Sequence, residues 1–324
     1  MTLDRPIRLG TRASQLALWQ ANWTANALRN HGYEVEILEL TTTGDTDRRP
    51  LAQVGGEGVF TKRIQEALLA DEVDLAVHSL KDLPTIEVPE LTLAAVPPRE
   101  DVHDWLVSKD GVSLQDIVEN AKVGTGSLRR QAQLLHHRPD LDVLPIRGNV
   151  ETRLDKVKNG ECDAVVLAAA GLKRLELTEV QAWSIPLEMM VPAVGQGALG
   201  LEVLASDQLI CEAVRTLNDP VTEMAVLAER SLLKQLLAGC LAPVGGYATL
   251  ADGTLTLTAT VLDADGSERL THVGEMSGDD LSVGDAVELG KEVAETLLER
   301  GADALIQKCR SNQKDDPPTE AAES

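Results

Sequence analysis

Short apolar runs that end in a polar loop and then open a helical repeat recur along this chain, and that recurrence most restricts its fold. Ile7-Arg8-Leu9 runs into Gly10-Thr11-Arg12-Ala13-Ser14, after which Leu16, Trp19, Trp23 and Ala27 return at three and four residues. A run over 73–77 ends in His78-Ser79-Leu80-Lys81-Asp82-Leu83-Pro84. Lys122-Val123-Gly124 leads to Thr125-Gly126-Ser127-Leu128-Arg129-Arg130. The run 143–146 leads to Arg147-Gly148-Asn149 with Arg153 one turn further on, and 164–168 to Ala170-Gly171-Leu172. Alternating strands and helices build open α/β sheets, whose ligands bind at the carboxyl ends of the strands. The distinctive residues all fall at that edge. A solvated basic helix face accounts for Arg129 and Arg130 alone, but not for Arg12, Lys81 and Arg147 at equivalent places in other units.

Charge makes this placement informative. The chain carries a net charge of -22, which argues against nucleic acid, since that binding needs Lys and Arg to neutralise phosphates. The segment 311–324 holds one Lys and four acids, so the rest of the chain still carries about -19 with ordinary ionisation. A body this acidic binds an anion only where its few cations are gathered in one cleft. Arginine suits carboxylates there, because its planar fork holds them bidentately. Ser14 fits either an anion site at a helix N-terminus or a plain helix cap. Asp82, ionised at neutral pH with an ordinary pKa of ~3.9, suits a developing cation. His78 reads as a satisfied structural imidazole.

With 324 residues, 43% of them hydrophobic, the chain supports two or three domains. Pro97-Pro98 and the Gly-rich 191–201 mark two crossovers, and an apolar strand after the second can return to the first sheet. Ligands favour the cleft between such lobes. A third, small α+β domain follows Asn218-Asp219-Pro220. Its first helix carries Met224, Ala228, Leu232 and Leu236, its clearest strand alternates Leu255, Leu257, Ala259 and Val261 with threonines, and its last helix carries Ala286, Leu289, Val293 and Leu297 and stops at Gly301. Cys240 lies in a Gly/Pro loop between the first of these helices and the strands. The loop 44–58, polar and Gly-rich, precedes a helix over 59–70 that holds Phe60, Lys62 and Arg63. Cysteines at 162, 211, 240 and 309 are too far apart for a CxxC pair or a zinc knuckle. No run is long enough to span a membrane, and the N-terminus enters a strand without a signal-peptide core, so a cytoplasmic protein is expected.

The segments Gly10-Thr11-Arg12-Ala13-Ser14-Gln15-Leu16-Ala17-Leu18, His78-Ser79-Leu80-Lys81-Asp82, Gly124-Thr125-Gly126-Ser127-Leu128-Arg129-Arg130, Arg147-Gly148-Asn149, Pro192-Ala193-Val194-Gly195-Gln196-Gly197 and Gly239-Cys240 occur together and in order. In this the chain resembles the porphobilinogen deaminase (hydroxymethylbilane synthase) family over about 5–310. The resemblance implies an α/β fold of two lobes like type II periplasmic binding proteins, joined by two crossovers, with a small α+β C-terminal domain. It implies domain 1 at 1–96 and 197–217, domain 2 at 97–196, domain 3 at 218–310 and a disordered tail at 311–324.

The same resemblance implies a dipyrromethane cofactor held by Cys240 through a thioether, on which four porphobilinogen units are condensed with loss of ammonia before water releases hydroxymethylbilane. Asp82 is then the catalytic residue. The cofactor is expected to meet Lys81, Asp82, Thr125, Ser127, Arg129, Arg130, Arg147 and Gly148, and the substrate to meet Arg12, Ser14, Arg153, Gln196 and Phe60. No metal is implied, and a cytoplasmic monomer without nucleic-acid or membrane partners is expected. Family members often carry lysine at the positions of Gln53 and Glu57, so neither is assigned, and Ala238 replaces a common glycine. A non-catalytic binder of an anionic small molecule on the same frame is the alternative; it needs neither Asp82 nor Cys240. A regulatory protein using its acidic tail is a third reading, and that tail is more simply unfolded.

Overall fold

The computed structural model describes residues 3–41, 58, 61–177, 179–238 and 242–315, with side chains through 311. Two five-stranded sheets share one plan. The first contains β1 (Ile7–Thr11), β2 (Val35–Glu39), β3 (Leu75–Ser79), β4 (Leu91–Ala95) and β10 (Leu199–Leu204), in the order β2-β1-β3-β10-β4. The second contains β5 (Asp104–Ser108), β6 (Lys122–Thr125), β7 (Asp142–Pro145), β8 (Ala164–Ala168) and β9 (Ala182–Ser184), in the order β7-β6-β8-β5-β9. In each, the antiparallel strand beside the parallel trio is the one the chain makes on arriving across a crossover: β5 after the first, β10 after the second. The second sheet is therefore one continuous stretch, 104–184, whereas the first is completed only when the chain returns to it as β10.

β3 and β8 are buried along nearly their whole length, as expected of strands covered on both faces. Their carboxyl ends emerge between the lobes. The crossovers lie side by side there, with the Glu100 N–H donating to the Gly197 carbonyl at 3.1 Å. Gly197 has φ +83°, and a Cβ on it would lie 2.4 Å from the Glu100 carbonyl oxygen, so this crossing requires glycine.

Helix α1 (Gln15–Asn30) forms where the repeat of Leu16, Trp19, Trp23 and Ala27 puts it, but that stripe is not its most buried face. Its buried face is Gln20, Ala21, Thr24, Ala25 and Leu28, whereas Leu16, Trp19, Trp23 and Ala27 are only half-buried. The reason lies in the other lobe: Trp19 sits 5.7 Å under the guanidinium of Arg174, at the end of a helix over Ala169–Arg174. The Leu16–Trp19 end of the stripe faces the other lobe, while Ala27 packs against the core of its own lobe. Two smaller differences concern boundaries. β3 extends to Ser79, two residues beyond the 73–77 run, and helix α2 covers Lys62–Leu69.

The third unit is an antiparallel sheet of β11 (Val244–Ala251), β12 (Thr254–Leu262) and β13 (Arg269–Ser277). Leu255, Leu257, Ala259 and Val261 are fully buried against Met224, Ala228, Leu232 and Leu236, and against the stripe Ala286, Leu289, Val293 and Leu297. Each of the Leu, Val and Met side chains among them contributes roughly 1.5–3 kcal/mol by its burial, and each alanine less. A further helix, Ala302–Asp315, runs into the segment expected to be a tail, and 316–324 lie outside the described residues. No helix among the described residues is long and apolar enough to cross a membrane.

Candidate active site

At the end of β3 the chain makes a single 3-10 turn, Leu80–Asp82. Leu80 is buried as its anchor, its N–H donates to the Ala198 carbonyl at 3.0 Å, and the Leu83 N–H closes the turn on the Leu80 carbonyl at 3.2 Å. Lys81 and Asp82 are thereby turned toward the interlobe space, both half-buried. Lys81 Nζ donates to Gln196 Oε1 at 3.4 Å. Burial and then the nearby Arg130 push the Lys81 ammonium down to about 8, with Asp82 and Asp104 opposing them and Arg129 adding to the depression.

Facing this turn is a buried node that the sequence reading did not contain. Asp104, at the start of β5, is fully enclosed. It accepts from Arg129 Nη2 at 2.7 Å and from Arg130 Nε and Nη2 at 3.0 and 2.7 Å. Burial alone would raise this carboxyl, but the Arg129 and Arg130 charges override it and hold Asp104 well below the usual carboxylate range. Both arginines come from the first turn of helix α3 (Leu128–His137). Their other donors reach the Val191 and Val166 carbonyls at 2.8 and 3.0 Å. Gln196 is likewise enclosed, donating to the Val102 carbonyl and to Asp104 Oδ1 at 2.7 and 3.0 Å. Arg129, Arg130 and Gln196 were expected to meet ligand directly. The structure commits most of their hydrogen-bonding groups to Asp104, to backbone and to Lys81.

The remaining cations adjoin them. Arg153, in helix α4 (Val150–Lys158), donates from Nε to the Gly148 carbonyl at 2.9 Å. Burial and then Arg130 bring its guanidinium down to about 10, against the pull of Asp82, with Arg147 adding to the repulsion. Gly148 holds φ +106°, the bend that lets Asn149 cap α4 by accepting from the Thr152 N–H at 2.9 Å. Thr125 is buried and accepts from the Ser127 N–H at 3.2 Å. The Ser127 side chain makes no cap bond, so the first N–H groups of α3 are open to an anion.

In the first lobe, Arg12, Ser14, Gln20, Thr61, Ser79 and Asp82 line one cavity, with His78 in its wall. Ser14 Oγ caps α1, accepting from the Ala17 N–H at 3.4 Å, which is the helix-cap reading of that serine, and the same residue lines the cavity. His78 Nε2 pairs with buried Glu202 at 3.0 Å, and Gln20 donates to Ser79 Oγ at 2.8 Å. Cys240 and Phe60 lie outside the described residues. Sequence reasoning missed Asp104, Glu202, Gln20 and Arg174. The available signal was a polar residue opening or interrupting an otherwise apolar run, as Asp104 does before Trp105-Leu106-Val107.

Among the described residues, the cations Lys81, Arg129, Arg130, Arg147 and Arg153 gather around two carboxylates, Asp82 and Asp104. Arg129 Nε is buried without a hydrogen-bond partner among the described residues. A ligand rich in carboxylates and pyrrole N–H groups fits this arrangement, the carboxylates on the cations and the N–H groups on Asp82.

Comparison with known proteins agrees. The family model described as "Porphobilinogen deaminase, dipyromethane cofactor binding domain" matches residues 7–212, and "Porphobilinogen deaminase, C-terminal domain" matches 224–299. The porphobilinogen deaminase of Syntrophotalea carbinolica is 48% identical over 303 residues, covering 93% of this chain and 95% of that protein. That of Geobacter sulfurreducens is 47% identical over 310 residues, covering 94% and 95%. A periplasmic substrate-binding protein from Coxiella burnetii superposes with TM-score 0.42 at 14% identity, over 67% of this chain and 93% of that one. On its family matches and on identity along nearly its whole length, this chain belongs to the porphobilinogen deaminase family.

Proposed function

We propose that Asp82 carries the chemistry of this family member, and that Cys240 tethers the primer on which it works. The activity itself is that of the family: porphobilinogen is deaminated and condensed into hydroxymethylbilane for tetrapyrrole biosynthesis. Bound dipyrromethane supplies a free pyrrole carbon for the first condensation.

The residues divide the work. Lys81, Arg129, Arg147 and Arg153, with the open N-terminus of α3 at Ser127, hold the cofactor's acetate and propionate groups. Arg12 and Ser14, across the Asp82 cavity, hold those of the incoming porphobilinogen. When ammonia leaves, positive charge develops over the pyrrole, and Asp82 Oδ accepts hydrogen bonds from ring N–H groups and stabilises that charge. It is placed to take up and return a proton at those nitrogens. Asp104 and Gln196 keep the cations aimed without touching the reacting atoms. The observation that carries this reading is the half-buried carboxylate of Asp82, on the wall of the Arg12–Ser14 cavity and among cations from the opposite lobe.

The lobes and tether are proposed as domain 1 (1–96, 197–217), domain 2 (97–196) and domain 3 (218–310), working as a monomer in the cytoplasm. Asp82→Asn is expected to lower turnover by at least about 10²–10³-fold. Its intact mass should still include two linked pyrrole units, an increment lost in Cys240→Ser. Near-normal turnover of Asp82→Asn would remove Asp82 from the mechanism, and an unmodified, unloadable full-length protein would remove Cys240.

A further inference from the structure

The 3-10 turn that presents Lys81 and Asp82 is held on its far side by a helix of the third unit. Helix α7 (Pro220–Gln235) places Val226 and Arg230 one turn apart on one face. Val226 is fully buried in a cluster with Leu80, Leu83, Val96 and Ala198, which lie beneath and just beyond the turn. Arg230 then reaches past it. Its Nη1 donates to the Leu83 carbonyl at 2.9 Å and its Nη2 to the Pro84 carbonyl at 2.7 Å. These are the first two carbonyls after Asp82. A planar fork can engage two consecutive carbonyls at once and thereby fix the direction in which the chain leaves the turn; a lysine ammonium, a point donor on a flexible stem, cannot. Further along the helix, Lys234 pairs with Glu87 at 2.8 Å, but both are exposed and add little. The sequence of α7 continues directly to Cys240.

We propose that Arg230 is a positioning residue for Asp82, making α7 a strut between the tether segment and the catalytic carboxylate. This rests on the assignment of Asp82 given above. Through these two bonds Arg230 acts on backbone, so losing them leaves the carboxylate of Asp82 itself intact and alters where it stands. A displacement of about 1 Å at a reacting group costs up to about 10²-fold in rate.

The test compares Arg230→Met, which keeps the length and loses the fork, with Arg230→Lys, which can keep one of the two bonds. In Arg230→Met, kcat per cofactor-loaded enzyme should fall about 10- to 100-fold with KM within about twofold. Arg230→Lys should recover part of that loss. Backbone amide exchange should accelerate at 80–84 while remaining at parental rates in β3, and intact mass should show the cofactor increment in both variants. The proposal is overturned if Arg230→Met keeps parental kcat and parental exchange at 80–84. It is equally overturned if the whole loss lies in cofactor attachment or in melting temperature, with kcat per loaded enzyme unchanged. Asp82→Asn, measured beside them, separates the two ideas: normal turnover there defeats the Asp82 assignment alone, whatever the exchange at 80–84 shows for Arg230.

Discussion

Two clusters in this molecule are built from the same parts, a buried aspartate gripped by two arginines, and they serve opposite ends. At the amino ends of the first sheet, Asp74 takes Arg5 at 2.6 and 2.9 Å and Arg8 at 2.7 and 3.1 Å, while Asp71 takes Arg8 again at 2.6 Å. Charge there is matched, and the arginines stay in contact with water, with Arg5 49% and Arg8 28% exposed. Their guanidiniums are held above their ordinary value, chiefly by the bonds to Asp74. At the carboxyl ends of the second sheet, Asp104 stands alone against Arg129 and Arg130, only 5% and 7% exposed, with Lys81 close by. Here burial dominates and brings Arg129 below its ordinary value. The first cluster has satisfied its cations. The second holds positive charge out of water in excess of the carboxylates among the described residues, and that excess is what a carboxylate-bearing ligand can use. What marks a binding site is desolvated cation without enough anion, more than the number of arginines.

The largest effect should come from removing the central carboxylate in each cluster. Asp104→Asn leaves two buried guanidiniums facing each other and should cost about 3–5 kcal/mol of stability. Intact mass should also show a smaller cofactor-loaded fraction. Asp74→Asn leaves its arginines partly in water and Asp71 still in place, so about 1–2 kcal/mol and parental kcat are expected. Urea unfolding and turnover measured side by side decide it; equal losses in the two variants would mean that the surplus-charge distinction is wrong.

The clusters should also separate on the pH axis. Lys81, brought down to about 8 from 10.5, loses its proton as pH rises through the lower value, and the cleft loses a cation. In the free enzyme kcat/KM for porphobilinogen should therefore fall above pH about 8, approaching tenfold per unit. Lys81→Arg should abolish that limb if the fork can be accommodated. Stability of the ligand-free protein should move the other way, rising between about pH 8 and 10.5 because the unfolded chain binds more protons there. Asp74 has the same sign in an acid window: its folded-state value is lowered, so its contribution is present above the unfolded value of 3.8 and is lost progressively as pH falls from there through the lower folded-state value. A flat alkaline profile of kcat/KM would show that the Lys81 charge does not serve turnover through the cofactor's carboxylates.

The contrast also explains what could be seen in the sequence. β12 and α7 were legible because their apolar periods are local and each has a single buried face, so Leu255, Leu257, Met224 and Leu232 fall where the pattern puts them. The strand-end loops were legible because Arg12, Lys81 and Arg147 recur at one position of a repeating unit. α1 was legible as a helix, but what covers Leu16 and Trp19 was not, because they face a neighbouring lobe and no local period encodes which neighbour that is. Asp104 was missed for the same reason, since its partners lie on another element of its lobe and a single aspartate has no period. Arg230 stood on a helix whose apolar stripe drew the reading away from the polar residue beside it.

The smallest effect should come from the ion pair that has one of the shortest contacts. Arg5 meets Asp74 bidentately at 2.6 and 2.9 Å, yet half of its side chain is in water. The Coulomb gain is therefore largely offset by solvation and by the entropy of holding the side chain, and Arg8 still satisfies Asp74 when Arg5 is gone. Arg5→Gln should lower stability by no more than about 1 kcal/mol, and this small loss should shrink further in high salt. kcat/KM should stay at the parental value. A loss well above that range, or one insensitive to salt, would mean that exposure does not set the worth of these pairs, and the reading of Asp104 as the costly member would lose its basis.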